Sequence, residues 1–152
     1  MQVDFYQVSR DGPEAIVAML AEKTLGAGQR LLVVAGEADR LEAIGQALWS
    51  RTGRGGVPTF LANGRAGEGH EARQPVLLAQ AVEAANGARF VALADGVWRD
   101  EAADPERFDR AFLVFDAATL DAARACWRTL GEREGLERNF WKQDEGRWVK
   151  AG

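Results

Sequence analysis

Short runs of consecutive apolar residues alternate along this chain with stretches whose apolar residues recur at helical spacing. The segment from Arg30 to Ala35 carries five apolar residues in succession, which is typical of a strand buried on both faces. Similar runs begin at Val3, Pro75, Arg89 and Ala111. Because helical segments separate the runs, the pattern predicts an α/β fold, with a mostly parallel sheet flanked by helices in a single domain over residues 1–152.

Three helices are predicted between and after these strands. The first begins near Pro13, which suits the first helical position, and ends at the glycines near Gly26. The second covers residues 37–51 and is followed by a breaker-rich segment at 52–58. The third covers residues 117 to about 133. The tail beyond it is polar with two tryptophans, and no strand is assigned there.

The composition excludes several classes of site and protein. A single cysteine, Cys126, excludes an intrachain disulfide framework and a multi-cysteine zinc site, and a single histidine, His70, excludes a two-histidine metal site. The formal charge of −4 provides no global attraction for duplex DNA or an anionic membrane. No apolar run reaches the length of a bilayer span and the N-terminus lacks a signal-peptide pattern, so we expect a cytoplasmic protein.

Parallel α/β sheets commonly bind nucleotides at the carboxyl ends of their strands, but the phosphate-binding motifs are missing here. No Gly-Lys-Ser or Gly-Lys-Thr occurs, and the turns after the first two strands lack the three-glycine fingerprint. Without a P-loop lysine, Asp116 is predicted to be a helix N-cap rather than a magnesium ligand. We therefore expect a Rossmann-like fold without a nucleotide-binding loop, cofactor or metal. The alternative is an enzyme that uses Asp95, Asp116 or His70 at the strand ends.

The remaining isolated reactive residues suggest no catalytic centre. His70 follows the turn glycines Gly67 and Gly69 and is predicted to be a solvated loop residue, because no nucleophile or orienting partner can be assigned to it. Cys126 lies inside the last helix rather than at a helix N-terminus, so it is predicted to be a packed or partly exposed thiol.

The last helix carries the most informative cluster. Arg124 and Arg128 lie along one edge of its apolar stripe and bracket Trp127; the stripe consists of Leu120, Ala123, Trp127 and Leu130. An aromatic ring between two guanidinium groups suits an acidic peptide with an apolar anchor. The alternative is that Trp127 belongs to the core and the arginines lie along the surface.

The charge distribution supports a local basic site at this end of the chain. Residues 120–152 hold seven basic and six acidic side chains, whereas residues 1–119 hold twelve and seventeen. Aromatic residues beside arginines also suit single-stranded nucleic acid. The acidic residues nearby weaken that alternative, because they would repel phosphates.

A second candidate surface is the apolar pair Phe60-Leu61, which follows the end of the second helix at Trp49 and lies in a glycine-rich loop. Such a pair either docks a partner or folds onto its own sheet, and the sequence does not decide between them.

Over nearly its full length the chain resembles the chi subunit of bacterial DNA polymerase III. The matching features occur in the family's order and are Phe5-Tyr6, Leu20-Ala21-Glu22-Lys23, Gly28 to Val33, Leu48-Trp49, Phe60-Leu61, Ala66-Gly67-Glu68-Gly69, Pro75-Val76 and Trp148. The resemblance implies a non-catalytic accessory subunit of the clamp-loader complex, with a nucleotide-binding-like fold that has no nucleotide chemistry.

The resemblance also implies a partner. Chi proteins bind the acidic C-terminal tail of single-stranded DNA-binding protein, which ends in an apolar residue with a free carboxylate. By this resemblance Arg124 receives the terminal carboxylate, Trp127 walls the phenylalanine pocket and Arg128 attracts the acidic residues, with Trp148 close by. Leu120 stands where the family has a lysine, so a less basic site is expected.

The family's second surface binds the psi subunit through the end of the second helix and the phenylalanine loop. Trp49, Phe60 and Leu61 match this surface, while Ala62-Asn63 replaces the family's usual Pro-His. The sequence leaves open whether the clamp-loader partner is psi or another subunit.

Overall fold

The computed structural model describes residues 1–9, 12–50, 60–144 and 147–152. These residues form three α-helices, which are α1 (Pro13–Gly26), α2 (Ala38–Trp49) and α3 (Leu120–Gly131). They also form eight strands, which are β1 (Gln2–Gln7), β2 (Leu31–Val34), β3 (Asn63–Arg65), β4 (Val76–Ala79), β5 (Phe90–Leu93), β6 (Arg110–Phe115), β7 (Glu137–Asp144) and β8 (Arg147–Lys150). The breaker-rich segment 52–58 lies outside the described residues.

The strands form one sheet in the order β3-β4-β2-β5-β6-β1-β7-β8. Every pairing is parallel except that of β7 with β8. The predicted α/β fold with a mostly parallel sheet is confirmed. The prediction that the tail holds no strand is wrong, because β7 and β8 extend the sheet beyond β1.

The helices cover both faces of the sheet, which explains the continuous apolar runs. Leu31 and Val33 pack into the core beneath α1 and α2, whereas Leu32 and Val34 pack into the core beneath α3. Alternate residues of β2 therefore face different helices, and both faces of this strand are apolar. The two faces are called the α1 face and the α3 face below.

A buried polar cluster joins three adjacent strands of the sheet, β6, β1 and β7. Asp4 of β1 is fully buried and accepts hydrogen bonds from Arg110 Nε of β6 at 2.7 Å and from Asn139 Nδ2 of β7 at 2.9 Å. Arg110 Nη2 also lies 2.6 Å from the Asp4 carboxylate. A buried carboxylate is tolerated only when its oxygens are paired, so this cluster fixes the register of β6, β1 and β7.

Candidate functional site

The turn between β6 and α3 positions the last helix. The Asp116 side chain accepts from the backbone N–H of Thr119 at 3.2 Å, and Thr119 Oγ1 accepts from the backbone N–H of Asp116 at 3.1 Å. This is a reciprocal capping box on the short 3₁₀ turn that leads into α3. The prediction that Asp116 is an N-cap is therefore confirmed.

Within α3, the residues divide between the core and the surface as the helical spacing predicts. Ala123 and Leu130 are buried against the sheet, while Arg124 and Arg128 are exposed one turn apart. Trp127 lies between these two groups and is half-buried. The ring of Trp127 therefore belongs to the edge of the core and also borders the surface.

Three neighbours fix the indole ring of Trp127. The rings of Phe5 and Phe140 meet it edge to face, with centroid distances of 5.3 and 5.7 Å. The Arg138 guanidinium lies 4.2 Å from the ring centroid, and its Nη1 donates to the Trp127 carbonyl oxygen at 2.6 Å. Aromatic and cation–π contacts of this kind hold a ring in one orientation, so Trp127 is preorganised.

A surface pocket of 340 Å³ opens beside this ring, and we call it the α3 pocket. Trp127 and Phe140 supply its aromatic surface, and Arg124, Arg128 and Lys142 supply three cationic groups. The described lining residues include no Asp or Glu, and none of the three cations forms an ion pair with another described residue. The α3 pocket is therefore both aromatic and positively charged, although the chain as a whole is acidic.

Among the lining residues that the sequence analysis missed, Phe140 and Lys142 supply the aromatic and cationic side chains. Both lie on β7 and point to the α3 face together with Arg138, because alternate residues of a strand share a face. The missed signal is the spacing of Arg138, Phe140 and Lys142 at every second position.

Trp148 does not lie in the α3 pocket, contrary to the expectation drawn from the resemblance. It pairs with Gln143 across the β7–β8 hairpin, and its ring meets that of Tyr6 edge to face at 5.1 Å on the α1 face. The register of the hairpin places Trp148 on the side of the sheet opposite to Trp127, since directly paired residues share a face.

The second candidate surface is partly exposed. Trp49 is 47% exposed at the end of α2, and Phe60 is 67% exposed. Leu61 is only 8% exposed and belongs to the core of the α1 face, and its backbone N–H donates to the Leu48 carbonyl at 2.9 Å. Trp49 and Phe60 are therefore exposed, whereas Leu61 belongs to the core and does not form part of an open surface.

The strand ends where an α/β protein would hold a nucleotide carry an internal ion pair instead. Asp95, after β5, accepts from Arg99 at 2.9 and 3.0 Å and from the backbone N–H of Gly36, after β2, at 2.9 Å. Burial alone would raise the pKa of Asp95, but the hydrogen bonds from Arg99, Gly36 and Val97 together hold that pKa below its ordinary value. A carboxylate thus occupies the backbone donor that a phosphate would need.

The structure shows no hydrogen bond between Asp95 and the other candidate catalytic residues. The Asp116 carboxylate is engaged in the capping box. His70 is exposed in the loop after β3, three strands away from β5 in the sheet, as predicted for a solvated loop residue. Cys126 is partly buried, and burial, followed by the charge of Asp100, raises the pKa of its thiol to about 12.

The described part of the chain offers no cluster of three or more His, Cys, Asp or Glu side chains that could hold a metal ion. Among the same residues, no helix has the length and apolar character needed to cross a bilayer.

Together the fold and the site define an α/β protein in which an internal ion pair lies at the strand ends and a basic, aromatic pocket lies on the α3 face. The chain belongs to the family described as DNA polymerase III chi subunit, HolC, whose sequence model matches residues 1–149. The resemblance noted from the sequence is thereby confirmed, and the chain is a member of a family of DNA polymerase III accessory subunits. A comparison with curated proteins gives no match.

Proposed function

We propose that this protein is a cytoplasmic, non-catalytic adapter that binds the acidic C-terminal tail of single-stranded DNA-binding protein in the α3 pocket. Binding there would link that protein to the DNA polymerase III complex. The observation that carries the proposal is the convergence of three cations, Arg124, Arg128 and Lys142, on an aromatic surface, none of them in an ion pair with another residue that the structure describes.

The aromatic part of the pocket suits the apolar end of the tail. Trp127 is held by Phe5, Phe140 and Arg138, so little freedom of the ring is lost when a second aromatic residue packs against it. A preorganised, half-buried aromatic residue is the usual source of most of the affinity at such a site.

The cationic part suits the carboxylates of the tail. Arg124 and Arg128 are one helical turn apart, and Lys142 reaches the same pocket from β7. An arginine can hold a terminal carboxylate with two parallel hydrogen bonds, whereas a lysine provides a point charge. Lys142 adds a cation that the helix lacks at Leu120, where the resemblance implies a lysine.

The proposal is tested with a fluorescent acidic peptide that ends in phenylalanine, titrated with the full chain and followed by anisotropy. We expect saturable binding that weakens as salt rises, because exposed charge pairs are screened. A peptide without the final phenylalanine should bind at least tenfold more weakly, since it loses the contact with Trp127 and Phe140.

Matched variants locate the site. Arg124→Ala with Arg128→Ala should raise the dissociation constant at least tenfold and flatten its salt dependence. Arg73→Ala is the control, because Arg73 is an exposed arginine next to β4, five strands or about 24 Å from β7. Unchanged binding by the double variant would refute the α3 pocket as the site, and equal binding of both peptides would refute the aromatic anchor.

We also propose that Trp49 and Phe60 contact a second subunit of the polymerase complex, with psi as the partner that the resemblance implies. Their exposure of 47% and 67% favours this role, because large aromatic side chains that are open to a partner are the usual anchors of a protein interface. Co-purification with the clamp-loader subunits tests it. Phe60→Ala should reduce recovery, and undiminished recovery with the Trp49→Ala, Phe60→Ala variant would contradict it.

The enzymatic alternative is tested separately by a thermal-shift experiment with a nucleotide panel, with and without magnesium. Because Asp95 already occupies the Gly36 N–H, we expect no change in Tm. A rise in Tm that depends on the nucleotide concentration would favour the alternative.

A further inference from the structure

A second cavity, of 350 Å³, lies on the α1 face between the C-terminal half of α1 and the strands β6, β1, β7 and β8. We call it the α1 pocket. Five aromatic side chains line it, and they are Tyr6, Phe90, Phe112, Trp141 and Trp148. Its volume is in the range of small-molecule sites, which are mostly apolar with a few polar groups. Because the sheet separates it from the α3 pocket, the two are distinct.

The rings of the α1 pocket are held in place by one another. Tyr6 meets Trp148 edge to face at 5.1 Å and stacks with Trp141 at 6.3 Å. The Arg110 guanidinium lies 5.1 Å from the centroid of Phe112 and is itself fixed by the buried Asp4 carboxylate. These contacts restrict the freedom of the rings before any ligand enters.

The polar groups of the α1 pocket are mostly donors. Trp141 Nε1 is buried and has no acceptor among the described residues. Lys23 is exposed at the last turn of α1 and forms no ion pair with another described residue. Arg110 donates a hydrogen bond from Nε to the Asp4 carboxylate and forms an ion pair with it through Nη2. Its Nη1 has no partner among the described residues. No Asp or Glu is among the described lining residues.

An unpaired buried donor is costly, at about 1–3 kcal/mol, unless an acceptor from another molecule satisfies it. The surplus of donors selects for an acceptor that carries negative charge, and the rings select for a planar apolar group. We propose that the α1 pocket binds an aromatic ring that bears a carboxylate, with the ring between the aromatic walls and the carboxylate on Trp141 Nε1 and Lys23.

The indole N–H resonances in a ¹H–¹⁵N spectrum of the full chain test this directly. The chain has five tryptophans, and a Trp141→Phe variant assigns the resonance of Trp141. Titration with 2-naphthoate should move that resonance saturably and leave that of Trp49 unmoved. The neutral analogue 2-naphthamide should bind at least fivefold more weakly, because it lacks the charge that Lys23 attracts.

Variants separate the contribution of each donor. Lys23→Gln should bring the affinity for naphthoate close to that for naphthamide, whereas Arg73→Gln, a surface control at the other end of the sheet, should change neither. Trp141→Phe keeps the ring but removes the N–H, and it should weaken naphthoate binding about tenfold. The absence of a saturable shift at Trp141, a shift at Trp127 alone, or undiminished binding by both variants would overturn the proposal.

A second titration, with the acidic peptide in place of naphthoate, decides whether the ligand is a free small molecule or the end of a protein chain. If the acidic peptide ending in phenylalanine also moves the Trp141 resonance, the ligand is the end of a protein chain. If only naphthoate moves it, the ligand is a free aromatic acid. The test is independent of the adapter function, because that function predicts a shift at Trp127.

Discussion

Arg138 makes two contacts with one residue, and replacing it by methionine tests how the α3 pocket is preorganised. The guanidinium lies over the Trp127 ring at 4.2 Å and donates to the Trp127 carbonyl at 2.6 Å near the end of α3. Methionine keeps an unbranched apolar side chain on β7 and removes both the charge and the donor.

The expected cost follows from these two contacts. A partly exposed cation–π contact contributes about 0.5–1 kcal/mol. A hydrogen bond from a charged donor contributes about 1.5–3 kcal/mol. Because Arg138 is only half-buried, we take the lower end of both ranges and expect Arg138→Met to lower the free energy of unfolding by about 2 kcal/mol. For a chain of this length, that loss lowers Tm by about 4–8 °C.

Urea unfolding followed by far-ultraviolet circular dichroism measures this change. Arg147→Met is the matched control, because Arg147 is an exposed arginine on the neighbouring strand β8. The control should change the free energy of unfolding by less than about 0.5 kcal/mol. The Arg138 variant should also bind the phenylalanine-terminated peptide more weakly, since Trp127 loses one of its three restraints.

A double-mutant cycle with Trp127→Leu divides the cost between the ring and the carbonyl. The carbonyl belongs to the backbone and survives in Trp127→Leu, so the coupling energy contains the cation–π part alone and should be about 0.5–1 kcal/mol. A loss of stability below about 0.5 kcal/mol for Arg138→Met would refute the argument. A coupling energy near zero would show that the guanidinium does not hold the ring.

Three further predictions concern residues outside the pockets. Gly96→Ala should cost at least about 1–2 kcal/mol in urea unfolding, because Gly96 has a φ of +73° and an added Cβ would lie 2.5 Å from Thr119 Oγ1. Asp95→Asn should destabilise the protein at neutral pH. Since the pKa of Asp95 is lowered by folding, its stabilising effect is present above pH about 4 and is lost as the pH falls through the folded pKa, so variant and wild type should converge in acid unfolding curves. Cys126, with its pKa raised to about 12, should react with a thiol reagent at pH 8 about a thousandfold more slowly in the folded than in the urea-unfolded protein.

The central strands were predictable from the sequence and the last two strands were not. Burial on both faces makes β2, β4, β5 and β6 almost wholly apolar. Such continuous apolar runs can be recognised in a single sequence. β7 instead contains Asn139, which is buried because it donates to Asp4, a residue 135 positions away. A polar residue paired across such a distance has no local signature, so β7 resembles a solvated tail.

The candidate site was likewise only partly predictable from the sequence. Arg124, Trp127 and Arg128 share one helix, and helical spacing alone places them together. Lys142 and Phe140 reach the α3 pocket only because β7 pairs with β1, which the sequence analysis did not predict. Trp148 was misplaced for a related reason, since its face depends on the register of a hairpin that had not been foreseen.

The position of β1 between β6 and β7 has a consequence for the order in which the molecule can form. Gln2 pairs with Arg110 and with Glu137, so the first strand of the chain completes its pairing only after residues 137–144 are available. Pairing between such distant segments is slow, because the entropy cost of closing the loop arises before the stabilising contacts form. During synthesis, the Asp4 carboxylate has no hydrogen-bond partners on β6 and β7 until Arg110 and Asn139 have been made. Residues of β7 also line both pockets. Ligand binding at either pocket therefore reports that β7 has docked beside β1, which makes it a marker for a late step of folding.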